Sequence, residues 1–151
     1  MINSIYVFRP NGAVYAIQES DGPVRVTHGD VIRVISTFEY RQPSGFTCSV
    51  IAYIGTRASK VLSSTVTQTL PPANDFTPAS SVNDIEIKKG TKPGIYNLGV
   101  DIPQGGAEAF YEIPQCIEVY EEPGMMSMLG MMLPLMMLMM MVGMMSNMME
   151  D

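Results

Sequence analysis

The sequence predicts an all-β domain, an antiparallel β-sandwich, followed by a C-terminal hydrophobic α-helix. Residues 1–122 fall into short runs that alternate apolar and polar residues, separated by Pro, Gly, Asn, Asp and Ser. No part of that stretch carries the 3.6-residue spacing of an amphipathic helix. Of the 15 methionines, all but Met1 lie between Met125 and Met149, so the composition breaks abruptly at one point. The organisation expected is a sandwich over 1–122, a hinge at 123–124 and a Met-rich hydrophobic helix over 125–151.

The first strand expected is Ile5 to Phe8, ended by the turn Pro10-Asn11-Gly12. Ala13 to Gln18 follows, then a turn at Ser20–Pro23 and the short run Val24 to Val26. Gly29-Asp30 opens a long strand, Val31 to Tyr40. Ile32, Val34, Phe38 and Tyr40 share one face of it, and Arg33, Thr37 and Glu39 the other, the period-2 pattern of a half-buried strand. Pro43-Ser44-Gly45 turns the chain into Phe46 to Ile54, where Phe46, Cys48, Val50, Ala52 and Ile54 share a face. Val61 to Leu70 is rich in Ser, Thr and Val and suits an edge strand, open to pairing with a neighbour. Pro71 to Ser81 has no periodicity and reads as a long loop, with Asn74-Asp75 as turn residues. Val82 to Lys88 is a further strand. Lys92-Pro93-Gly94 then turns into Ile95 to Ile102, with Tyr96, Leu98, Val100 and Ile102 inward. Gln104-Gly105-Gly106 is a hairpin-type turn into Ala107 to Tyr120. Pro114 breaks that last strand and marks a bulge or an edge position.

The runs GDVIRVISTFEY, FTCSVIAYIG, KPGIYNLGVDIP and FYEIPQCIEVYE resemble the immunoglobulin-like and fibronectin-III-like sandwiches. Pro93-Gly94-Ile95-Tyr96 resembles the tyrosine corner of those domains, which maps Tyr96 to the residue whose hydroxyl bonds back to upstream backbone. The resemblance implies a recognition or structural module. The chain departs from antibody-type domains in having no tryptophan, and Cys48 and Cys116 do not stand where an inter-sheet pair would. With Ile117 and Val119 inward, Cys116 is expected to point away from the core. The two cysteines fit a disulfide in an oxidising space or two buried thiols in a reducing one, and the thiols are preferred because free Cys is so often buried.

Chemistry is sparse. His28, the single histidine, sits in a turn before Gly29-Asp30 and reads as solvated surface. There is no CxxC, HExxH, Walker A, GxGxxG or GxSxG pattern. Asp75 and Asp84 lack the clustered spacing of a calcium loop. No catalytic residue, cofactor or metal site is expected, and the chain reads as a non-enzymatic protein. A net charge of −6, from 9 Lys+Arg against 15 Asp+Glu, argues against nucleic acid as a partner.

The tail carries the strongest signal. From Met125 to Met145 there is no charge, and Ser127 is the one polar side chain. As a helix this stretch would rise roughly 30 Å, about one hydrocarbon core. Its apolar surface comprises Met125, Met126, Met128, Leu129, Met131, Met132, Leu133, Leu135, Met136, Met137, Leu138, Met139, Met140, Met141, Val142, Met144 and Met145. Pro134 would kink it, as membrane helices tolerate. Three readings follow. The tail inserts into a lipid bilayer, although flanking Lys or Arg are missing. It packs with copies of itself in the centre of a homo-oligomer, where flexible Met fills irregular gaps. Or its thioethers hold copper(I), the alternative of an envelope copper-handling protein. The first is preferred. The N terminus runs from Met1-Ile2-Asn3-Ser4 directly into a strand-like run with no signal-peptide pattern, so a chain that is not a processed product is expected to start with its domain on the cytoplasmic side. A membrane-associated or virion component, from a phage or virus, is therefore expected. Its protein partners are expected at loops 42–45, 71–81 and 104–106.

Overall fold

A computed structural model describes residues 1–121, of which Met1–Tyr120 form one compact unit. The predicted hinge at 123–124 and helix over 125–151, with every tail residue named above, lie outside the described residues.

Among the described residues nine strands follow in chain order: β1 Ile2–Phe8, β2 Val14–Ile17, β3 Val24–Val26, β4 Val31–Gln42, β5 Phe46–Gly55, β6 Lys60–Leu70, β7 Ala73–Glu86, β8 Gly94–Asp101 and β9 Phe110–Val119. They form two sheets, ordered β2-β1-β4-β7 and β3-β9-β8-β5-β6. Every neighbouring pair is antiparallel except β3 and β9, which are parallel. The inner faces share one core that includes Val7, Ile32, Val34, Val50, Ile54, Ile85, Leu98 and Ile117. This all-β, two-sheet arrangement is compatible with a β-sandwich.

The turns explain the register. In the β1–β2 hairpin, Gly12 adopts φ +91° and its amide bonds the Arg9 carbonyl at 3.0 Å. In the β4–β5 hairpin, Gly45 adopts φ +70° and comes so near the Leu70 carbonyl that a β-carbon would stand 2.9 Å from it. Both positions require glycine.

The structure overturns the reading of Pro71–Ser81 as a loop. Only Pro71 and Pro72 connect β6 to β7. Ala73 onward is strand, paired with β4 from Gln42↔Ala73 to Val31↔Glu86. Asn74 and Asp75 are strand residues rather than a turn, and the run from Val82 continues the same strand. β7 is the last strand of its sheet, so Pro78 sits at an edge, where a missing N–H is tolerated. Its buried positions as far as Asn83 are Ala73, Ser81 and Asn83 rather than large apolar residues, and only Ile85 near its end is one, which is why no alternation was visible over 71–81.

Asn83 is fully buried and bridges the sheets. Its Nδ2 donates to the carbonyls of Val50 and Ser64, each at 2.9 Å, and its Oδ1 accepts from Ser81 Oγ at 2.9 Å. A buried amide satisfied in this way fixes how the two layers meet.

Cys116 also departs from expectation: it is buried. Between Tyr96↔Ile117 and Leu98↔Ile113 the β8–β9 register shifts, so Pro114, Gln115 and Cys116 stand against Asn97 alone. Gln115 takes φ +47°, and its amide bonds Asn97 Oδ1 at 3.0 Å. This bulge turns Cys116 and Ile117, adjacent in sequence, both away from solvent. Pro114 lies where β9 has only β8 beside it, because β3 pairs with residues 117–119 only. Cys48 and Cys116 are both free thiols.

Candidate functional site

The two sheets differ in length at one end. β1 pairs with β4 only as far as Ile2↔Ser36, and Met1 and Thr37 exchange backbone bonds of 3.0 and 2.9 Å. From Phe38 to Gln42, β4 has β7 on one side and no strand on the other among the described residues. The opposite sheet continues past this point through β5, β8 and β9. The mismatch leaves an open groove of about 710 Å³.

Phe38, Tyr40 and Phe46 line one part of the groove, and Val100, Ile102 and Tyr111 another. Tyr40 and Phe46 meet edge to face, with centroids 5.7 Å apart, and Tyr40 Oη donates to the Pro71 carbonyl at 2.9 Å. These contacts hold the aromatic wall in place. Ser36 also lines the groove. It is buried, and its hydroxyl has no hydrogen-bond partner among the described residues. Glu39 and Glu108 are the charged side chains of the lining. The site therefore combines an apolar trough, an unpaired strand edge, one orphan hydroxyl and an acidic rim.

The predicted contact loops fall around it unevenly. Gln104 and Gly105 line the groove directly, and Gln104 Oε1 accepts from the Ser49 amide at 3.0 Å. The exposed turn Pro43–Ser44 links Tyr40 to Phe46 but does not line the trough. Of 71–81, Pro78 reaches it, from strand β7 rather than from a loop. Sequence reasoning missed the groove because it arises from a difference in strand length, which no single segment records.

Tyr96 lies early in β8, and its hydroxyl donates to the Lys92 carbonyl at 2.6 Å, clamping the turn that precedes the strand. His28 is exposed.

A second polar group lies on the outer face of the five-stranded sheet. The Asp101 carboxylate, 7% exposed, receives Arg57 at 2.9 Å, and Lys60 lies 3.7 Å away. Arg57 also donates to the carbonyls of Gly106 and Ala107, at 2.9 and 2.6 Å, which ties the β8–β9 connection to the β5–β6 turn. Beside this cluster the fully buried Tyr53 hydroxyl lacks a hydrogen-bond partner among the described residues. Its pKa is held above the tyrosine range by burial first and by the Glu112 and Asp101 carboxylates second. A phenol so placed keeps its proton and is a poor base.

The thiols are equally unreactive. Burial raises the Cys48 pKa, and burial with a smaller contribution from Glu19 raises that of Cys116 to about 11. Neither provides a thiolate nucleophile near neutral pH. Among the described residues, no three His, Cys, Asp or Glu side chains converge to hold a metal ion, and no helix is long and apolar enough to cross a membrane.

No protein-family model, curated protein or solved structure matches the chain.

Proposed function

We propose that this is a non-enzymatic structural or interaction protein, in which an immunoglobulin-like or fibronectin-III-like sandwich is displayed on an apolar C-terminal segment. One observation carries the reading. A run of 21 uncharged residues, Met125–Met145, follows a unit that has a hydrophobic core of its own. Such a run is stable in water only if lipid or other apolar chains cover it.

Strand order supports the family resemblance. β1, β4 and β7 correspond to A, B and E of those sandwiches, and β5, β8 and β9 to C, F and G, with β6 beside C. Tyr96 near the start of β8, bonded to Lys92 four residues upstream, fits the tyrosine corner at the start of strand F. The short β3 and the hairpin strand β2 are additions to that set.

The tail then fixes the chain in a membrane or at the centre of a homo-oligomer, and the sandwich meets protein partners. A virion or another membrane-bound assembly is the setting this architecture suits. The test is the mass of the full chain by sedimentation, with and without detergent. A detergent-dependent or oligomeric chain is expected, together with a soluble, folded monomer after deletion of residues 125–151. A full chain that stays monomeric in plain buffer sinks both the membrane and the oligomer forms of the proposal.

A further inference from the structure

We infer that the open groove is an acceptor for an added β-strand: an extended segment of a partner protein that lies along β4 from Phe38 to Gln42. It carries apolar side chains at alternate positions and a basic residue toward Glu39 or Glu108. The inference deepens the interaction reading at one site and is independent of what the tail does.

The backbone argues for a strand. Thr37 turns both its N–H and its C=O toward Met1. In an antiparallel ladder the residue two positions on turns the same way, so Glu39 presents its N–H and C=O to the open side. Glu39 is exposed and has no backbone partner on that side among the described residues. A segment continuing the line of β1 would run antiparallel to β4 and span about 17 Å, five residues at about 3.3 Å each.

The trough argues for the pattern within that strand. A strand turns every second side chain to one face, and here that face meets Phe38, Phe46, Val100 and Ile102. These residues bound a 710 Å³ space, which is volume for several apolar side chains. The buried Ser36 hydroxyl at the inner end lacks a partner among the described residues and would pair with a polar group brought in by the segment. The rim argues for the sign of charge. Glu39 and Glu108 are its charged side chains, the one positive group of the lining is the Met1 ammonium bonded to the Thr37 carbonyl, and the whole chain carries −6, so the balance is acidic and a basic partner is attracted over an acidic one.

Isotope-labelled full-length chain, in detergent if it needs it, is titrated with capped nine-residue peptides. One alternates valine with threonine and carries a lysine at its centre. A second replaces that lysine by glutamate, and a third has its backbone N-methylated at alternate residues. The expected result is saturable binding of the lysine peptide, with the Glu39 amide protected from exchange. The glutamate peptide should bind about tenfold more weakly, and the N-methylated one not measurably. In Glu39→Lys, an exposed position, the preference for lysine over glutamate should shrink or reverse. Equal binding of the N-methylated peptide overturns strand addition, and no binding of any peptide overturns the site. A concentration-dependent dimer that protects the same amide without peptide overturns the choice of a different protein as occupant. None of these results depends on whether the tail inserts or oligomerises.

Discussion

Tyr53 stands opposite Gly99 on the paired strands β5 and β8, and its ring fills the space that a side chain on residue 99 would need. A β-carbon on Gly99 would fall well inside contact distance of the ring. The ring cannot lift away freely. It is fully buried, with the Lys60 ammonium 5.1 Å from its centre. Gly99→Ala is therefore expected to cost about 1–3 kcal/mol, the usual penalty for overpacking a closed site. A chemical denaturation midpoint unchanged by Gly99→Ala would mean that the tyrosine is free to move.

Tyr53→Phe should behave in the opposite way. The hydroxyl is buried and makes no hydrogen bond among the described residues, so its removal discards a desolvated polar atom and keeps the ring that covers Gly99. The expected effect runs from neutral to a gain of about 1 kcal/mol. A loss above that, in the same denaturation measurement, would show that the hydroxyl has a partner, with Glu112 the first to examine because its carboxylate acts on the Tyr53 pKa.

Asn83→Asp tests the bridge between the sheets. The change is nearly isosteric, but it replaces two donated hydrogen bonds with carboxylate oxygens facing the carbonyls of Val50 and Ser64. Because the site is fully buried, the cost should reach about 3–5 kcal/mol near neutral pH. The introduced carboxyl would have a raised pKa in the folded state, so lowering the pH should narrow the gap to the wild type. A gap that stays constant from pH 7 to pH 4 would mean that the lost bonds, and not the charge, set the penalty.

How much of this was legible in the sequence depended on which force shaped each segment. β4 and β5 were visible because each puts a regular apolar series on one face, from Ile32 to Tyr40 and from Phe46 to Ile54. The first part of β7, residues 73–81, was invisible for the opposite reason, while the run from Val82 reads as strand. Its place is set by backbone pairing with β4, its buried side chains before Ile85 are small or polar, and Pro78 resembles a breaker unless the strand is known to be an edge. Asn83 illustrates the limit most clearly: what secures it is two carbonyls from strands 19 and 33 residues away. The role of Pro114 was readable, but the bulge it accompanies reversed the side on which Cys116 lies. The groove belongs to the same class of feature, since among the described residues it lies where the β1–β4 pairing ends and β4 continues beside the opposite sheet.

That reversal at Cys116 gives a pH test. Its folded pKa, about 11, lies above the ordinary thiol value of 9.0, chiefly through burial. Below pH 9 the thiol is protonated whether the chain is folded or not, and its contribution to stability is complete. Above pH 9 the unfolded chain releases the proton first, so stability drains away until the pH passes about 11. Cys48, also raised by burial, acts in the same direction, as do Tyr53 and Tyr111, and all of these remain in a Cys116→Ala variant. At neutral pH that variant should lose about 1 kcal/mol to the small cavity it leaves. Between pH 9 and pH 11 the wild type should weaken more steeply, so the difference between the two should shrink as pH rises. Urea midpoints at pH 7.5, 9 and 10.5 give the comparison. Parallel lines would mean that Cys116 reaches solvent and that the bulge at Gln115 does not hold it inside.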